Sequence, residues 1–225
     1  MNLKEMKANN ELSSSKESLV KIVAFKIIDE SIKDLLMNFK FLDLALSSFN
    51  FSLIEDDSLK TIGTDGNTIF FNPNYLIDSF QELNEKTNNR RFNLTRMIMH
   101  SLLHCVFFHH KSLVSNILPS VWDLACDITT EYIIDDLNNP IFSNKLTSLD
   151  GDKNNIYLKF KKSLKQKYNN SNFIVKNVYE HLLECTNEQL SLYQSLFVVD
   201  EHYNWKYNNE DQEEIKNEEY NKKII

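Results

Sequence analysis

The segment FNLTRMIMHSLLHCVFFHHKS, residues 92–112, is apolar on nearly every side when wound as an α-helix, and it carries four of the chain's 6 histidines. A helix without a polar face belongs at the centre of a fold, with other elements packed around it. Asn93 offers an N-cap. At about 100° per residue, His100 and His104 lie roughly 40° apart on one face, the spacing at which two imidazoles converge on one cation. The plainer reading is two core histidines, each hydrogen-bonded to a carbonyl or carboxylate. A shared metal would satisfy both at once in so apolar a helix. His109 falls about 180° from His100, so it joins them only if the helix ends or bends after Val106. His110 sits nearer the shared face. As terminal histidines, both are also explained by the negative end of the helix dipole.

A four-coordinate site needs further protein donors, and the stretch SVWDLACDITTEYIIDDL, residues 120–137, offers acids at helical spacing. Asp123 and Asp127 share a face. Ser120 followed by Asp123 has the form of a capping box, which explains Asp123 without a metal. Asp127 lies mid-helix and is the preferred third ligand, with Asp123 and His109 as alternatives. Glu131 lies one turn further along.

The rest of the chain reads as mainly helical α+β. Only 3 Gly and 3 Pro interrupt it, too few for a strand-rich sandwich or barrel. Leu19 to Leu36 repeats apolar residues at three and four, as one buried helix face requires. Residues 51–72 are β-favouring, with a tight turn at Thr64-Asp65-Gly66, and predict a small sheet or hairpin. Residues 141–172 read as a polar, lysine-rich connector, Phe173 to Leu183 as a helix, and FVVDEHYNW as extended chain. The expected organisation is a flexible N-terminus over 1–14, one domain over 15–205, and an acidic flexible tail over 206–225. A net charge of -7 argues against a nucleic-acid partner. No apolar run of membrane-spanning length is present, and three cysteines make no disulfide frame, so a cytoplasmic setting is expected.

Taken in order, TDGNTIFFNP, HSLLHCVFFHH, WDLACD, FIVKNVYEHL and VVDEHYNW resemble the bacterial, zincin-like metallopeptidase domain usually found before a von Willebrand factor A-like domain. The likeness covers about residues 20 to 205. It implies a zincin-like helical core and Zn²⁺, with His100 and His104 as paired ligands, His109 as the following His and Asp127 as the acid of the second helix. Phe71-Asn72-Pro73 corresponds to the strand end. The Glu that follows the first His in that family is Ser101 here, and a hydroxyl is no base near neutral pH. The von Willebrand half does not follow Trp205. The resemblance therefore implies a weakly active or inactive metallopeptidase acting as a binding module. Its partner would be a MoxR-type AAA ATPase or a von Willebrand factor A-like chain. The alternatives are an active zinc hydrolase using another acid, Glu131 or Asp123, as base, and a metal-free helical adaptor.

Overall fold

The computed structural model describes residues 3–55, 58–86, 91–111, 117–142, 151–168, 173–202 and 205. The architecture is mainly helical α+β. Helices α1 (Leu3–Asn38) and α2 (Asp43–Ser48) precede strands β1 (Asn50–Leu53), β2 (Ile62–Thr64) and β3 (Thr68–Phe71). Helices α3 (Pro73–Lys86), α4 (Arg91–Val106), α5 (Pro119–Asp136), α6 (Gly151–Lys167), α7 (Val175–Leu183) and α8 (Asn187–Phe197) follow. Short 3-10 turns lie at Lys40–Leu42 and Pro140–Phe142. Among the described residues, no helix is long and apolar enough to cross a membrane. The acidic tail expected over 206–225 lies outside the described residues.

Helix α1 starts inside the stretch expected to be flexible, because Leu, Lys, Glu, Met and Ala there are strong helix formers. Its core face is Ala24, Ile28, Ser31 and Leu35, packed towards α3 and α4. Leu19, Ile22, Val23 and Phe25, which the periodicity assigns to the same buried face, remain exposed.

The sheet is mixed, in the order β1-β3-β2. Strand β1 runs parallel to β3, and β2 pairs antiparallel with β3 in register Ile62↔Phe71. The tight turn falls where the sequence places it. Asp65 Oδ1 accepts from the amides of Asn67 and Thr68 at 2.9 and 2.8 Å, and Gly66 takes φ +91°. A Cβ on Gly66 would collide with the His110 ring, so glycine is needed for space as well as for the dihedral.

Two apolar cores form, and α4 and α5 bring them together. One gathers α1, the sheet and Met97, Ile98, Met99, Leu102 and Leu103 of α4. The other gathers Val121, Trp122, Leu124, Ala125 and Ile128 of α5 with residues of α6, α7 and α8. Residues 151–167 are therefore not a solvated connector. Tyr157, Phe160 and Leu164, at three- and four-residue spacing among the lysines, bury one stripe of α6. Helix α8, which the sequence reading did not assign, starts at a capping box between Thr186 and Gln189.

After α8 the chain runs extended alongside β2. The Glu201 amide donates to Ile62 O at 2.7 Å, and Glu201 Oε1 accepts from the amides of Lys60 and Thr61, each at 2.7 Å. Trp205 Nε1 donates to Thr64 O at 2.7 Å. Residues 198–202 and Trp205 thus lie across the seam between the two cores.

Candidate metal centre

Helix α4 ends at Val106 with a Schellman closure: the Phe108 amide donates to Cys105 O at 3.1 Å and the His109 amide to His104 O at 3.0 Å. Phe108 occupies the left-handed region at φ 55°, the position a glycine usually takes. This turn swings His109 back towards the helix it has left. His109 Nδ1 lies 2.9 Å from His104 Nδ1, and the indole N–H of Trp122 donates to its carbonyl at 3.3 Å. His110 points elsewhere, against Gly66, with Nδ1 buried and without a hydrogen-bond partner.

The paired histidines face α5 across the seam, and both are fully buried. His100 Nε2 is 3.3 Å from Asp127 Oδ1 and 3.5 Å from Asp200 Oδ1. His104 Nε2 is 3.2 Å from Asp127 Oδ1 and 3.8 Å from Asp200 Oδ1. The donor atoms of His100, His104, Asp127 and Asp200 all lie within 4.8 Å of one another. Four donors of a tetrahedral Zn²⁺ site, with bonds of about 2.0–2.1 Å, sit about 3.3 Å apart, so the spacing is that of a ligand set.

Three further observations test the fit. Asp127 Oδ2 and Asp200 Oδ1 are buried without hydrogen-bond partners, which is costly for carboxylates unless something positive meets them. His100 Nε2 and His104 Nε2 stand only 2.8 Å apart, so their lone pairs repel unless a proton or a cation lies between them. Finally, His100 Nδ1 is 2.8 Å from Glu131 Oε1, an acceptor only, which keeps the proton on Nδ1 and turns Nε2 to the cluster. The residues fit a divalent cation.

Glu131, considered from sequence as a replacement base, stands behind His100 and away from the donor atoms. Its Oε2 accepts from Arg96 Nε and Nη2 at 3.1 and 2.7 Å, while Arg96 Nη1 donates to Phe142 O at 2.7 Å. Asp123 does not form the expected capping box. Pro119 takes the first helical position and Leu118 the N-cap, which places Ser120 inside the helix. Freed from capping, Asp123 Oδ2 lies 3.3 Å from His202 Nδ1.

Ser101 is fully buried, and its hydroxyl donates to Asp200 Oδ2 at 3.0 Å. The sequence reading did not name Asp200 or His202. Their signal was present: in an extended segment, residues two apart face the same side, and Asp200 and His202 have that spacing in VVDEHYNW. A cleft of about 420 Å³, lined by Asp123, Asp127, Gln194, Asp200 and His202 among others, adjoins the cluster. Beyond His109 a separate apolar cavity of about 400 Å³ includes Phe107, Phe108, Trp122 and Phe173 in its walls.

Without a cation the cluster balances its charge with protons. Burial opposes a charge on His100, but the charge of Asp200 and hydrogen bonds to Asp127 and Glu131 outweigh it and raise its pKa well above the usual value. His202 is raised in the same way, against burial, chiefly by Asp127, Asp123 and Asp200. Asp127 is held well below the carboxylate range, since His202, His100 and His104 overcome burial; Asp200 is lowered chiefly by His100 and His104. Burial and the His100 charge lower His104, and burial with the His104 charge takes His109 down to about 2.

A raised histidine stabilises the fold below its unfolded pKa, and that contribution is lost as pH rises through the folded value. The lowered carboxylates stabilise above their unfolded pKa, and that contribution is lost as pH falls through the folded value. A divalent cation held by these residues would compete with the histidine protons. Its stabilising increment is therefore expected to be larger at about pH 8 than at about pH 6. Melting temperatures with and without metal at the two pH values check this, and an increment that shrinks as pH rises contradicts it.

No protein-family model, curated protein or solved structure matches the chain. The likeness to metallopeptidase domains rests on the quoted residues alone.

Proposed function

We propose that the chain is a metal-stabilised binding domain in which one divalent cation, held by His100, His104, Asp127 and Asp200, pins the extended chain at residues 198–202 to the helical core. The observation that carries this reading is the Ser101–Asp200 hydrogen bond of 3.0 Å. The residue that would be the zincin base instead orients a carboxylate, whose other oxygen joins the donor cluster. Four protein donors fill positions that a catalytic site would keep open for water, as in structural sites. Imidazole and carboxylate donors accept Zn²⁺, the cation the resemblance implies. A bound Zn²⁺ supplies charge neutralisation for two buried carboxylates.

In this reading each side chain has a mechanical role. Glu131 fixes the tautomer of His100 through Nδ1, His109 holds the ring of His104 through Nδ1, and Ser101 orients Asp200. Action through a protein partner is supported by the exposed apolar stripe Leu19, Ile22, Val23 and Phe25 on α1. A MoxR-type AAA ATPase or a von Willebrand factor A-like chain, the partners the resemblance implies, belong to the same proposal.

A second reading, metal-dependent hydrolysis, is favoured by the cleft that reaches Asp127 and Asp200 beside Asp123. Glu131 lies behind His100 and does not line the cleft, whereas Asp123, whose Oδ2 is 3.3 Å from His202 Nδ1, does and is the acid that would serve as base there.

Cleavage of an unfolded protein substrate by wild type and Ser101→Glu, both loaded with Zn²⁺, separates the two readings. Neither is expected to cleave. The glutamate is expected to cost about 2 kcal/mol, because it places a second carboxylate against Asp200 in a fully buried position. Clear Zn²⁺-dependent cleavage by wild type would overturn the binding-domain reading in favour of hydrolysis.

A further inference from the structure

We infer that His202 is a fifth protein donor, making the centre a site of three imidazoles and two carboxylates for a five-coordinate first-row divalent cation. The inference rests on the metal-binding reading above and extends it to a residue outside the four-donor set.

His202 repeats the environment of His100 point for point. Its Nε2 is 2.9 Å from Asp127 Oδ1 and 3.6 Å from Asp200 Oδ1, the same two oxygens that His100 Nε2 approaches at 3.3 and 3.5 Å. Its Nδ1 is 3.3 Å from Asp123 Oδ2, as that of His100 is 2.8 Å from Glu131 Oε1. A carboxylate behind Nδ1 can only accept, so the proton stays on Nδ1 and the Nε2 lone pair is left for the cluster. His104 Nδ1 meets a ring nitrogen instead, His109 Nδ1 at 2.9 Å. All three imidazoles are thus backed at Nδ1 and meet the same carboxylates through Nε2.

The ring is also held in place. It stacks on Trp205 at 3.8 Å between centroids and 20° between planes, and Trp205 is anchored to the carbonyl of Thr64. A histidine needed only for surface solubility has no use for such a mount. The plainer role, a hydrogen bond from Nε2–H to Asp127, leaves Asp200 Oδ1 without a hydrogen-bond partner. A cation shared by the five atoms meets both carboxylates. The donor set contains nitrogen and oxygen but no thiolate, which suits Zn²⁺, Co²⁺, Fe²⁺ and Mn²⁺.

The test loads the full chain with Co²⁺ and counts imidazoles by X-ray absorption fine structure, with the visible spectrum as a second readout. Wild type is expected to show three imidazoles and the weak absorption of five-coordinate Co²⁺. His202→Ala is expected to keep one equivalent of Co²⁺ at affinity reduced about 10-fold or more, with two imidazoles and a stronger four-coordinate band. His202→Gln, which keeps a hydrogen-bonding group beside Asp127, serves if the alanine variant does not fold, and is expected to lose the same imidazole. Two imidazoles in wild type, with a spectrum unchanged by either variant, would overturn the fifth donor while leaving the four-donor centre standing. Failure of wild type to bind Co²⁺ would overturn the centre itself.

Discussion

Arg96→Met is expected to lower the free energy of unfolding by about 3–5 kcal/mol, measured by urea denaturation of the metal-free protein. Arg96 is 3% exposed and lies against Glu131 and Asp135 at 2.7 and 2.5 Å, while Glu131 is 0% exposed. Removing the guanidinium takes two hydrogen bonds from the buried Glu131 Oε2, while His100 still meets Oε1, and it takes from the Phe142 carbonyl the bond that Nη1 supplies. Burial raises the cost of the charges, yet the attraction of Glu131 and Asp135 keeps Arg96 firmly protonated. Methionine matches the aliphatic stem, so the loss reads the charge network and not a cavity. The neighbouring Tyr157 and Lys161 also reach Asp135 and soften the effect on that residue, which leaves Glu131 as the principal casualty. A change below about 1 kcal/mol would show that Glu131 does not depend on Arg96.

The second large effect is the cation's own. At free metal about a thousandfold above its dissociation constant, binding to the folded state alone adds about 4 kcal/mol. Asp200→Ala is expected to remove most of that increment, because it deletes the donor supplied by the extended chain at 198–202 and leaves Ser101 without its acceptor. Thermal unfolding of wild type and Asp200→Ala, each with and without Zn²⁺, reads the difference. An equal shift in both proteins would mean that the cation binds elsewhere.

How much of this was legible in the sequence follows from the reach of helical periodicity. The apolar circumference of residues 92–106 marked α4 as central, and the spacing of His100 and His104 put both on one face. The condition set for His109, that the helix must end after Val106, is met by the turn at Phe108. Helix α6 was hidden because Lys159, Lys161, Lys162 and Lys165 dominate its composition while Tyr157, Phe160 and Leu164 carry its packing. The capping box failed through local competition: Pro119 is better suited to the first helical position than Ser120 is to the cap.

The donor set was legible only in part for a different reason. Two of the clustered residues share a helix and a third lies on the next one, within reach of spacing arguments. Asp200 comes from an extended segment about one hundred residues from His100, and only the packing of that segment against β2 brings it in. Ser101 illustrates the same limit. Its identity marks a departure from the pattern the resemblance implies, whereas its hydrogen bond to Asp200 is visible only in the fold.

The central claim is that His100, His104, Asp127 and Asp200 form one divalent-metal site. Metal analysis of the full chain after equilibration with Zn²⁺ and extensive dialysis tests it most directly, with His104→Ala alongside. One equivalent retained by wild type and none by His104→Ala is the predicted result. Wild type without metal, or His104→Ala with the same content as wild type, would contradict the account.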